Sequence, residues 1–147
     1  MGNSFRDALL TSALTAALSI TLAAFGPEQH QHPPAGAHQH PEAAKLKNPV
    51  EANAASIAAG QKLYGQQCAG CHGDTGQGDG AMGADLTPKP SNLTDADFKH
   101  GATDGEIFTV IRDGVKGSGM KAFNSKLTTR QMWEVVNYVR SIGPKTP

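Results

Sequence analysis

The run Cys68-Ala69-Gly70-Cys71-His72 limits what this chain can become more than any other feature. In a C-x-x-C-H run two thiols three residues apart can each bond one vinyl group at a porphyrin edge. The histidine that follows can reach the iron, and the spacing is the attachment signature of c-type haem. These are the chain's 2 cysteines. A disulfide between them would close a loop too short to constrain much of the unfolded chain. A thioredoxin-like dithiol belongs beside a βαβ pattern, and no strand-like alternation precedes Cys68. A zinc site needs further Cys or His ligands at regular spacing, and only His100 remains in the folded part. The expected cofactor is therefore one covalent haem c, bound by Cys68 and Cys71, with His72 as a metal ligand.

The rest of the composition suits a small domain that needs such a staple. Apolar residues make up 38% and aromatic residues 5% of the 147, beside 17 Gly and 9 Pro. So lean a core gains from a large apolar group to pack on. Formal net charge is +0, which gives no reason to expect nucleic acid as a partner. The charge is unevenly spread. From Asp74 to Glu106 seven acids stand against Lys89 and Lys99, whereas from Arg112 to Arg130 five bases stand against Asp113. Such a dipolar molecule can orient a partner, although a solvated surface accounts for the same charges.

Three regions follow one another along the chain. Residues 1–26 read as a signal peptide or a membrane anchor, since Ala8–Phe25 is apolar and diluted by Ser and Thr. Cleaved signal and retained anchor stay open, and both export the chain. Residues 27–53 read as a disordered linker rich in His, Pro and Ala, with two His-Gln-His pairs. Residues 54–147 hold the folded domain, and it reads as all-α. Asn53 can cap a first helix carrying Ile57, Gly60, Leu63 and Tyr64, where Gly60 suggests a close helix crossing. The Gly-rich and then Pro-rich stretch 73–92 reads as a loop at the haem edge. Thr103 and Glu106 form a capping box for a middle helix that Gly114 ends. Thr128 and Gln131 form another for a last helix, whose stripe runs Met132, Val135, Val136, Val139 and Ile142.

The candidates for the iron's second axial ligand are Met82, Met120, Met132, His100 and water. Met132 belongs to an apolar stripe and reads as core. Met82 lies close behind His72 in the same loop, and His100 reads as surface. Met120 follows Gly117-Ser118-Gly119, a segment whose glycines let the backbone approach a porphyrin face. A thioether opposite histidine raises the reduction potential and suits electron transfer. Met120 is therefore the expected second metal ligand.

Over residues 54–143 the chain resembles the class I monohaem cytochromes c. Gly60 and Tyr64 are similar to that family's glycine and aromatic on the N-terminal helix, and Val135 and Tyr138 to its contact positions on the C-terminal helix. Cys68, Cys71 and His72 match its haem site, and Met120-Lys121-Ala122-Phe123 its methionine-ligand loop, with Lys121 where a proline is common. The segment Leu86-Thr87-Pro88-Lys89-Pro90 resembles its haem-wall loop, which implies that the Pro88 carbonyl accepts the His72 N–H. The resemblance implies a small helical fold wrapped around covalent haem, with the first and last helices crossed.

The function these readings imply is one-electron transfer between donor and acceptor redox proteins, outside the cytoplasm, by a monomer without catalytic residues of its own. Two alternatives stay open. If Met120 does not reach the iron, an open site could bind or reduce a small molecule. The domain could also be a tethered subunit of a larger oxidase or dehydrogenase complex.

Overall fold

The computed structural model describes residues 41–95 and 98–144. The leader and the His-Gln-His pairs lie outside the described residues. Those described form five α-helices and one 3-10 turn, with no strand among them: α1 (Pro41–Ala44), α2 (Ala54–Gln67), α3 (Ala69–His72), the turn Ala81–Gly83, α4 (Asp104–Asp113) and α5 (Thr129–Ile142). The architecture is all-α. No described helix is long and apolar enough to cross a membrane.

The three long helices begin where the side chains dictate. Asn53, Thr103 and Thr128 are N-caps, and each closes a reciprocal capping box with Ser56, Glu106 or Gln131. Such a box satisfies two of the N–H groups that a helix start leaves without intrahelical partners. At the other end of α4, Gly114 takes a positive φ of 72°, and its N–H donates to the Val110 carbonyl.

The frame of the domain is the crossing of α2 and α5. The buried stripe of α2 is Ser56, Gly60 and Tyr64, two small residues and one aromatic at four-residue spacing. At Gly60 an added Cβ would lie 2.6 Å from the Glu134 carbonyl carbon and 3.0 Å from Tyr138 Cβ. Only a missing side chain lets the two backbones meet there. One turn along, the Tyr64 and Tyr138 rings pack 5.0 Å apart at 55°. On the other side of α5, Trp133 stacks on Phe108 of α4 at 4.0 Å and 9°. Val135, Val136 and Met132 are 1%, 0% and 3% exposed. Side chains of this kind each contribute about 1.5–3 kcal/mol when fully buried.

The linker expected over 27–53 is corrected in its last part. Residues 41–53 are a strap packed on the domain. Ala43 is buried, and a Cβ at Gly105 of α4 would lie 2.7 Å from Leu46 Cβ. Asn48 Nδ2 donates to Asn137 Oδ1 at 2.7 Å. Asn137 Nδ2 donates in turn to the Val50 carbonyl at 3.1 Å and to Ser56 Oγ at 3.1 Å. A polar composition hid this segment, because its order rests in large part on hydrogen bonds to one buried asparagine of α5, beside the apolar contacts of Ala43 and Val50.

Candidate cofactor site

The C-x-x-C-H run folds as a helical turn directly behind α2. The Cys68 N–H still donates to the Tyr64 carbonyl of α2 at 2.8 Å, and the His72 N–H donates to the Cys68 carbonyl at 2.9 Å. Residues three and four apart on a helix share a face. Cys68, Cys71 and His72 are therefore presented together, and all three line one cleft. Gly73, at φ 79°, ends the turn, and Tyr64 Oη donates to its carbonyl at 2.8 Å.

The loop that follows folds back on the turn. Gly78 N–H donates to the His72 carbonyl at 2.8 Å, Gly80 N–H to the Cys71 carbonyl at 3.2 Å, and Leu93 N–H to the Gly76 carbonyl at 2.6 Å. The last bond sets Ser91 beside the histidine. His72 Nδ1 lies 3.0 Å from the Ser91 carbonyl oxygen, a pure acceptor, so Nδ1 carries the proton and donates. That tautomer leaves the Nε2 lone pair free for a metal. The acceptor is thus Ser91 and not Pro88 as expected. Pro88 does line the cleft, but the carbonyl that meets the imidazole comes three residues later.

The cleft has a volume of about 480 Å³, inside the usual range of about 300–1,000 Å³ for cofactor sites. Its walls include Leu86, Ile111, Val135 and Val139, from three different segments. Met120 lines it too. Its backbone is fixed by its neighbours: Met120 N–H donates to Ser118 Oγ at 3.1 Å, and its carbonyl accepts from Val115 N–H at 3.0 Å. Gly119 lies against Leu86, where a Cβ would come within 2.8 Å of Leu86 Cδ2.

The other candidate ligands separate. Met132 is 3% exposed in the core and does not line the cleft. Met82 is 74% exposed, with its sulfur over Gly70 at the cleft's lip. His100 lines the cleft, although it read as surface.

Burial shifts the titratable groups in opposite directions. It pushes the Cys68 thiol up to about 12, helped by Cys71 beside it. Burial also lowers His72 below its ordinary value, and the hydrogen bond to Ser91 only partly offsets this. A neutral imidazole is the form that binds metal. Both cysteines are free of disulfide.

This donor set fits haem c. It offers two unpaired thiols on one helical face, an imidazole with a free Nε2, a thioether and apolar walls. The fold and the cleft together define a c-type cytochrome domain. The family model described as cytochrome c oxidase, cbb3-type, subunit III matches residues 55–139, and the chain belongs to that family. The cbb3-type cytochrome c oxidase subunit CcoP of Azospirillum sp. (strain B510) is 31% identical over 96 residues, which are 65% of this chain and 32% of that protein. The chain spans a third or less of the length of the curated relatives it matches. Among solved structures, the reducing HAO-like protein complex of Kuenenia stuttgartiensis is similar with a TM-score of 0.61 and 28% identity, over 69% of this chain and 49% of that one. Cytochrome cL of Methylophaga aminisulfidivorans is similar with a TM-score of 0.52 and 26% identity, over 67% of this chain and 61% of that one.

Proposed function

We propose that the chain is a one-electron carrier with a single haem c, bound through Cys68 and Cys71 and ligated by His72 and Met120. It works as a monomer between a donor and an acceptor protein outside the cytoplasm. Its N-terminal segment exports it and is then either cleaved or kept as an anchor. The observation that carries this reading is the convergence of His72, from the helical turn α3, and Met120, from the loop before α5, on one apolar cleft.

Haem c, when bound, supplies one-electron oxidation and reduction at its iron. The protein's part is to hold and tune. Cys68 and Cys71 secure the porphyrin edge by thioether bonds and prevent its loss. The Ser91 carbonyl fixes the His72 ring, so Nε2 keeps one orientation in both redox states. Met120 offers a soft sulfur that favours the reduced metal and raises the potential. Its backbone bond to Ser118 Oγ limits rearrangement on electron transfer.

The ferric spectrum of Met120→Ala holoprotein tests the reading. The weak sulfur-to-iron absorption should vanish and the iron should turn high-spin. Met82→Ala should keep both features, as the exposure of Met82 requires. Loss of the band in Met82→Ala instead would overturn the ligand assignment. Its presence in neither variant nor wild type would favour an open iron.

The family match favours a second reading, in which this domain hands electrons within a larger cbb3-type oxidase assembly. Co-purification of the holoprotein with a membrane oxidase, surviving detergent and high salt, separates that subunit from a free carrier.

A further inference from the structure

One buried charge lies outside the ligand set. Glu106, the third residue of α4, is 1% exposed, and it is the one acid buried among the described residues. Its Oε2 accepts from the Thr103 N–H at 3.0 Å and from Thr103 Oγ at 2.8 Å. Its Oε1 is buried and has no donor among the described residues. No ion pair formed by described residues includes it. The cations nearest to it on the outer side of α4 are turned elsewhere. Arg140 binds Asp104 at 2.7 Å and donates to the Ala102 carbonyl, and Lys47 is exposed.

On the other side lies the cofactor cleft. A Cβ at Gly101, whose φ is 94°, would strike the Glu106 carboxyl. Gly101 itself lines the cleft, with Lys99 and His100 before it in the same turn, and so does Ile107, the residue after Glu106. One glycine thus separates a buried carboxylate from the cofactor's space. The capping box does not need that charge. The boxes of α2 and α5 close with Ser56 and Gln131 at the same position, and both are neutral. A helix N-terminus favours an acid, but the partly exposed Asp104 already supplies one in the first turn of α4. An unpaired buried carboxylate is costly, and one kept where a neutral residue would cap as well marks a constraint from function.

We infer that Glu106 tunes the redox site: its carboxylate, behind Gly101, lowers the reduction potential by stabilising the oxidised, more positive iron. It acts through space and not by contact, and the low-dielectric interior strengthens its field. It opposes Met120, whose sulfur raises the potential. This rests on the electron-carrier reading.

The test is an equilibrium titration of holoprotein at pH 7 and constant salt, in which one electron passes from a reduced mediator to the ferric iron. At a fixed mediator poise, Glu106→Gln should raise the ratio of ferrous to ferric haem about tenfold, which is about 59 mV for one electron. Glu106→Asp keeps the charge but shortens the arm that closes the box, and should stay within about twofold of the wild type. Asp104→Asn removes a paired, partly exposed carboxylate from the same turn and should also stay within about twofold. A second readout needs no mediator. The ratio of ferric to ferrous unfolding constants, from guanidinium titration, should rise by the same tenfold factor in Glu106→Gln, because charge and iron are coupled only in the folded state. Equal ferrous-to-ferric ratios in wild type and Glu106→Gln would overturn the role of Glu106 and leave the carrier reading standing. A shift in Glu106→Asp as large as in Glu106→Gln would assign the effect to the cap and overturn the role as well. So would a Glu106→Gln chain that no longer folds around haem, since the charge would then serve the fold. A wild type with no reversible one-electron couple would overturn the carrier reading and this proposal together.

Discussion

The two sides of the domain are held by different means. Helices α2 and α5 bury their stripes against each other, and at Gly60 their backbones touch without an intervening side chain. The segments that line the cleft, 73–95 and 114–127, are joined mainly by main-chain hydrogen bonds and turn Leu86, Pro88, Leu93 and Met120 toward the cleft. The helix pair satisfies itself through contacts that the chain supplies. The loop side spends its apolar residues on a surface for something else. The difference teaches that one half carries its own folding information and the other depends on the group it binds.

Removing that group should break the comparison most sharply. A chain with Cys68→Ala and Cys71→Ala, expressed for export, should form no thioether. The loop side should then lose fixed packing, and with it the domain's margin of stability, commonly about 5–15 kcal/mol. Calorimetry should show no cooperative transition, while far-UV circular dichroism keeps part of the α2 and α5 signal. A haem-free chain that melts sharply, near the temperature of the holoprotein, would mean that the loops hold themselves.

The helix side should fail at one atom. Gly60→Leu places a side chain where even a Cβ lies 2.6 Å from the Glu134 carbonyl carbon. Overpacking against backbone cannot relax by a rotamer change, and a loss above about 3 kcal/mol is expected in guanidinium titration of the holoprotein. A loss below about 1 kcal/mol would show that the crossing is looser than its geometry.

What could be read in the sequence follows the same division. Thr103 with Glu106, Thr128 with Gln131, the Gly60 crossing and the core place of Met132 were all legible, because each is a short-range pattern with its own side-chain chemistry. The strap over 41–53 was not. Its anchor joins Asn48 to Asn137, two polar residues far apart in the chain and without periodicity. The histidine's acceptor was missed for a related reason. A main-chain carbonyl has no side-chain signature, so nothing in the residue types separated Ser91 from Pro88.

Two methionines sharpen the comparison further. Met132 sits in the helix core at 3% exposure, and Met82 lies at the cleft's lip at 74%. Met132→Ala should cost about 2–5 kcal/mol, the usual range for truncating a buried methionine. Met82→Ala should change stability by less than about 0.5 kcal/mol, as at other exposed positions. Denaturant midpoints of the two holoproteins make the check. Equal losses would mean that the lip is packed as tightly as the core.

A smaller loss than at Met132 is expected at Tyr64, where the two sides meet. Its ring packs on Tyr138 of the helix pair, and its hydroxyl donates to the Gly73 carbonyl of the loop side at 2.8 Å. Tyr64→Phe keeps the ring and leaves that carbonyl without its donor, at a cost of about 1 kcal/mol near neutral pH. Burial, above all, raises the pKa of the Tyr64 phenol well above its ordinary value, with Cys68 the next cause while it is a thiol. In the holoprotein the burial remains. The sign follows from the protons bound: above about pH 10 an unfolded tyrosine gives up its proton while folded Tyr64 keeps it. The unfolded state then binds fewer protons, so stability falls as pH rises through that window. Phenylalanine has no proton to lose. The gap between wild type and Tyr64→Phe, measured by denaturant titration, should therefore hold steady up to about pH 9 and narrow above about pH 10. A constant gap across that range would show that water reaches the hydroxyl and that the junction between helix pair and loops is open.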